Sequence, residues 1–257
     1  MISWIKVSVF VSTSILSIDL HIPIKLNEKS TTSQYTRMTD EYTKGVVIDD
    51  SLQRAPLKAS VDEIRRMLLI IKDEILPKTT VGVTNGNKVF GAAILNDKLE
   101  TVLADSNEET TCPLFHGEVK AIYEWCKIIP ASERGPAAQS SIFLATHEPC
   151  CMCISSIVWC GFNKVYYFFP YHITSEQGIP HDINTMHELW GVNSYRKRNK
   201  YVSTECLMDL ITSLDESVPE KKELLALQQE LIDTYDELSN KYHSEKVSNS
   251  NNTLVLG

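Results

Sequence analysis

The stretch THEPCCMCISSIVWC, residues 146–160, constrains this chain more than any other, because it holds four of the seven cysteines. Four cysteines so close in sequence suit a disulfide framework poorly, and the total is odd. Reduced thiols, metal ligands or a redox pair fit better, and a reducing compartment follows as the expectation. Cys150 and Cys153 stand three apart, directly after Pro149, at the predicted start of a helix continuing as ISSIVWC. Residues i and i+3 share a helix face, so both sulfurs can meet one ion. The unsatisfied N–H groups of a helix start also favour thiolate over thiol. Two ligands do not complete a tetrahedral zinc site, so at least one more is needed.

His116 is the candidate third ligand. In LFHGEVKAIYEW it opens another predicted helix, with Glu118 two residues on. Positions i and i+2 do not share a flank, so both can address an ion only if it lies off the helix end. Cys150 and Cys153 stand in that same relation to their own helix. Two helix starts, each following a strand, therefore converge on one zinc per chain, at the sheet edge where open α/β folds bind ligands. Three protein ligands leave a fourth position for water, the mark of a catalytic rather than a structural zinc. Glu118 is placed to take a proton from that water and deliver it elsewhere.

The rest of the chain supplies a frame. Ser60 and Glu63 form a capping box before EIRRMLLIIKDEILP, where Ile64, Leu68, Ile71 and Ile75 keep helical spacing and Pro77 is expected to close the run. KVFGAAIL (88–95) and LETVLAD (99–105) flank an Asn-Asp turn and predict a hairpin. SIFLAT (141–146) and KVYYFF (164–169) are near-continuous apolar runs, as in strands buried on both faces. The order helix, strand, strand, helix, strand, helix, strand predicts a three-layer α/β/α sandwich. Its core spans 58–175, after an N-terminal extension over 1–57 whose residues 27–44 form a polar arm. A C-terminal helical region covers 176–243: HELWGV and STECLMDLITSL read as short helices. SVPE reads as a second capping box, before a helix striped with Leu224, Leu227, Leu231, Tyr235 and Leu238. A disordered tail is expected over 244–257.

His116-Gly117-Glu118 followed by Pro149-Cys150-Cys151-Met152-Cys153 resembles the signature of the cytidine deaminase-like superfamily of zinc-dependent nucleobase deaminases. GNKVFGAAIL, LADSN, HGEVKAI and THEPCCMC look most like the guanine, cytosine and tRNA adenosine deaminase branch. The resemblance implies hydrolytic removal of an amine from a nucleobase or nucleoside, with His116, Cys150 and Cys153 on zinc and Glu118 as proton carrier. It also implies base contact by Asn107, a role in substrate binding for Glu148 and the backbone through Cys150, and a homodimer. Gly117 departs from the commoner alanine, as in fungal-type cytosine deaminases.

Two other readings stand beside this one. Adenosine in tRNA is the alternative substrate, and Arg196, Lys197, Arg198 and Lys200 are the candidate RNA contacts. A net charge of −8 favours a small ligand, since broad nucleic-acid binding needs many cations. A non-catalytic zinc-binding scaffold subunit is the other; the presence of Glu118 argues against it. Cys126 and Cys160 read as core thiols and Cys151 as packing between ligands. Cys112, His172, His181 and His187 receive no role, and His147 is expected to be structural. The N-terminal WIKVSVFVSTSILSI is far short of the roughly 20 apolar residues of a membrane span. Placement in the cytoplasm, or also the nucleus, is the expectation, with a signal peptide as the alternative.

Overall fold

The computed structural model describes residues 49–252 and 254. The expected polar arm, the candidate signal peptide and the extension as far as residue 48 lie outside the described residues. Among the described residues, all the secondary structure falls within the unit Asp50–Gly257.

The Ser60–Glu63 capping box forms as its spacing predicts. Ser60 Oγ accepts the Glu63 N–H at 3.2 Å, and a Glu63 carboxylate oxygen accepts the Ser60 N–H at 2.7 Å. Helix α1 (Val61–Ile70) follows, but Pro77 does not end the run. A π turn over Ile71–Ile75 leads into α2 (Leu76–Thr84), with Pro77 in the first turn of α2. A wider turn frees the position where proline's missing N–H would break an ordinary helix.

Five strands make one mixed sheet in the order β2-β1-β3-β4-β5. They are β1 (Gly91–Leu95), β2 (Thr101–Ser106), β3 (Ile142–His147), β4 (Lys164–Phe169) and β5 (Ser203–Cys206). β1 runs antiparallel to both neighbours, whereas β3, β4 and β5 run parallel. Alternate residues serve opposite faces, as the period of a strand requires. Ala93, Leu95, Leu144, Tyr166 and Phe168 face a core closed by α1, the π turn, α8 (Leu207–Thr212) and α9 (Lys221–Glu245). Ala92, Ile94, Phe143 and Val165 face a second core. It is closed by α3 (Gly117–Ile128), α4 (Arg134–Ser140) and α5 (Cys151–Trp159), with Trp125 and Ile157 fully buried. The architecture is the three-layer α/β/α sandwich that the order of elements predicts.

The C-terminal half differs from the sequence expectation in three places. STEC is a strand, not the start of a helix: it completes the sheet beside β4, with Ser203 opposite Lys164 and Cys206 opposite Tyr167. The open edge of β4 offers a ladder of backbone partners that local propensity cannot register. The second capping box does not form, because Asp215 Oδ1 already accepts the Ser217 N–H and α9 begins only at Lys221. The tail is ordered over its described residues: Asn249 donates to the Thr84 carbonyl at 3.2 Å, and Asn249 and Asn252 close successive turns. Between the halves lie α6 (Tyr171–Glu176) and α7 (His181–Trp190). Among the described residues no helix is long and apolar enough to cross a membrane.

Candidate metal centre

The centre forms where β3 and β4 end and β1 begins. His116 caps α3 and Cys150 caps α5, each with extended ψ and with no side-chain bond to its own helix. Their side chains are therefore free to point off the helix ends. His116 Nδ1 lies 3.6 Å from Cys150 Sγ, and the ligand atoms of His116, Cys150 and Cys153 all lie within 4.8 Å of one another. Cys153 and His116 hold the Cys150 thiol well below its ordinary range, while burial and Cys150 push the Cys153 thiol up. One sulfur thus carries charge readily even without an ion. Two sulfurs and one imidazole nitrogen within this radius fit zinc and form a potential site for it.

α3 can start this close to the sheet because Gly117 lies against Gly91. A Cβ on Gly117 would come within 2.6 Å of the Gly91 Cα. A Cβ on Gly91 would in turn meet Ile75 at 2.4 Å. Two glycines thus let backbone meet backbone, and Glu118 enters the interior one residue after the contact. Glu118 is 5% exposed, and burial, followed by the charge of Cys150, pushes its carboxyl up to about 7.

A cavity of about 350 Å³ opens onto His116 and Cys150. Its wall includes Phe90, Ile179 and Leu189 as apolar surface, with Lys88, Glu109, His181 and Asp182 as polar groups. Asp182 is 7% exposed, and burial pushes its carboxyl well above the usual range. Sequence reasoning missed Lys88, Glu109 and Asp182. Lys88 reads as an ordinary polar flank of an apolar strand, and Asp182 as a first-turn acid of a helix. Cys151, expected only to pack, also lines the cavity, with its sulfur 3.9 Å from Thr185 Oγ1. His181 lines it too, whereas His172 and His187 are exposed.

The side chains of the two expected substrate contacts are engaged by protein partners. The Asn107 side chain is 2% exposed and closes its own turn, donating to Glu109 at 2.6 Å and accepting the Glu109 N–H at 3.0 Å. The Glu148 carboxylate is taken by Lys197 and by the Tyr171 N–H. Neither residue is part of the cavity wall. Lys197 in turn donates to Tyr167 OH and lies over the rings of Tyr167, Tyr171 and Tyr195 at 4.9, 5.5 and 4.6 Å. Arg196 pairs with Asp50. The candidate RNA contacts thus include one partly exposed lysine and one arginine, each already paired within the chain.

His147 is structural, as expected from its place at a strand end. Its Nε2 donates to Gln177 at 3.0 Å, its Nδ1 lies 2.9 Å from Thr146 Oγ1, and Gln177 passes the chain on to Asp236 of α9. Burial pushes the His147 imidazole down to about 3 from an ordinary 6.5. Below pH 6.5 the unfolded chain therefore takes up a proton that the folded chain refuses until about pH 3. Stability from this group is whole above that window and falls by about 1.4 kcal/mol per pH unit within it. Urea unfolding at pH 7, 5.5 and 4 is expected to show His147→Asn losing less stability on acidification than the wild type. Parallel losses would count against the burial argument.

Residues 74–169 match the family model for the cytidine and deoxycytidylate deaminase zinc-binding region. Among solved structures, a guanine deaminase from Nitrosomonas europaea is similar at 14% identity and a TM-score of 0.40, covering 72% of this chain and 88% of that one. A guanine deaminase from Bacillus subtilis is similar at 20% identity and a TM-score of 0.39, covering 63% and 92%. A structure from work on A-to-I editing by tRNA:A34 deaminases gives 14% identity and a TM-score of 0.37, covering 61% and 99%. No curated protein matches.

Proposed function

We propose that this chain, a member of the cytidine deaminase-like superfamily through residues 74–169, is a hydrolytic deaminase of a nucleobase or nucleoside that releases ammonia. The observation that carries the proposal is Glu118: a buried carboxyl whose burial raises it to about 7, beside three ligand atoms that fit zinc, two of which, on His116 and Cys150, belong to residues lining the cavity. Zinc held by His116, Cys150 and Cys153 would supply Lewis acidity and an activated water. Glu118 carries the protons: it takes one from the attacking water and gives it to the ring nitrogen, then takes the second from the hydroxyl of the adduct and gives it to the departing amine, so that ammonia leaves and a carbonyl remains. A carboxyl near pH 7 can do both at neutral pH, which an exposed glutamate does poorly.

The cavity volume of about 350 Å³ lies at the small end of small-molecule sites and supports a free base or nucleoside. Orientation falls to His181 and Asp182, which line the cavity, beside the contacts that the resemblance implies for Asn107 and Glu148. The backbone from Glu148 to Cys150 remains the proposed holder of the leaving amine. Tyr123 and Ile128 on α3 and Trp159 on α5 are exposed apolar side chains that support a homodimer.

The test is zinc per chain together with ammonia release from cytosine, guanine, adenine, their nucleosides and deoxycytidylate. Expected are one zinc per chain and ammonia from at least one compound, lost on chelation and regained with zinc. Zinc without ammonia from any of them would overturn the small-substrate reading in favour of tRNA or a scaffold. A chain that binds no zinc would overturn the whole proposal.

A further inference from the structure

A buried ion pair lies beside the metal centre, and the proposed chemistry does not use it. Lys88 and Glu109 are 3% and 6% exposed, and their Nζ and Oε1 stand 3.0 Å apart. Taking two charges out of water costs more than a well-packed apolar pair would, so the pair is an unfavourable choice for stability alone. The same Oε1 of Glu109 lies 3.5 Å from His116 Nε2, while Oε2 accepts from Asn107 at 2.6 Å. On its other side the His116 ring presents Nδ1 to Cys150 at 3.6 Å.

The chemistry of imidazole links these distances. A neutral ring that gives the Nδ1 lone pair to a metal carries its proton on Nε2, and that proton needs an acceptor. Among the described residues, Glu109 is the one acid within ion-pair distance of His116. Lys88 and Asn107 both donate to its carboxylate, at 3.0 and 2.6 Å.

We propose that Glu109 is a positioning residue of the metal centre, accepting the His116 Nε2–H so that Nδ1 faces the two sulfurs. Lys88 serves to neutralise and fix that carboxylate. The inference rests on the zinc half of the proposed function and is independent of which substrate is deaminated.

The test is zinc affinity of the full chain by competition with a chromophoric chelator at fixed pH, for the wild type, Glu109→Gln and Lys88→Met. Outer-sphere partners of metal-bound histidines are typically worth about 10–100-fold in metal affinity. Glu109→Gln, which keeps the shape but loses the charge, is expected to weaken zinc by about tenfold or more. Lys88→Met, which breaks the same ion pair but spares the carboxylate and its bond from Asn107, is expected to weaken zinc clearly less than Glu109→Gln does. A purely structural pair would make the two variants equally weak, and that result overturns the proposal. So would Glu109→Gln binding zinc within twofold of the wild type.

A second measurement needs no variant. Imidazole ¹⁵N spectra of the zinc-loaded wild type are expected to show His116 protonated at Nε2, with that proton shifted downfield by a carboxylate acceptor. Zinc on Nε2, or a freely exchanging Nε2–H, overturns the proposal even if Glu109→Gln fails to fold. If the wild type itself takes up no zinc, the zinc reading falls and this inference with it. Zinc uptake with Glu109 indifferent removes this inference alone.

Discussion

Glu118→Gln is expected to bind zinc as the wild type does and to lose turnover by about 10²–10⁴-fold, the usual contribution of a general acid–base group. Glutamine fills the same buried space and keeps a hydrogen-bonding end, but it cannot carry a proton between water and leaving amine. The carboxyl lies beside Cys150, His116 and Cys153, so removing its charge leaves the ligand set intact. Zinc by atomic emission and single-turnover ammonia release, measured on one preparation, separate the two effects. Loss of zinc with loss of rate would make Glu118 a prop for the ligands. Retained rate would end its assignment as proton carrier.

Gly117→Ala is expected to damage the same site by geometry alone. The added methyl would stand 2.6 Å from the Gly91 Cα, where only backbone can yield. Overpacking of this kind costs about 1–3 kcal/mol. To relieve it, α3 must lift from β1, carrying His116 and Glu118 on either side of the contact. Expected are a lower midpoint in urea, weaker zinc binding and a reduced rate. A variant with unchanged zinc affinity would show that the helix start has room that the Gly91–Gly117 contact denies it.

The sequence carried the ligands because the constraint on them is local. His116, Cys150 and Cys153 must each stand at a helix start, and Pro149 and the apolar runs before and after announce those starts. The Ser60–Glu63 cap and both buried strands were legible for the same reason. What escaped notice depended on partners far away in the chain. Nothing around Ser203 announces that β4, some 40 residues earlier, lacks a neighbour on that side; the pairing of Ser203 with Lys164 decides it. Lys88 and Glu109 look like unremarkable charges 21 positions apart until the hairpin folds them together. Asn107 and Glu148 are at the expected places, but a neighbouring turn and a lysine 49 residues away claim their side chains.

The core behind the sheet bears on how movable this chemistry is. Residues 74–169 carry every proposed ligand and the proton carrier and supply nearly all of one core, to which Val202 is the one fully buried addition from outside. The other is completed by Ile64 and Leu68 from before the matched region and by Leu207, Leu224, Leu231 and Tyr235 from after it. Transplanted alone, the matched region would bring an active-site sequence with a bare apolar sheet face, and would aggregate rather than catalyse. Together the two cores draw on residues from the helix after the Ser60 cap through α9. The catalytic sequence is local, but the protein that can host it is not.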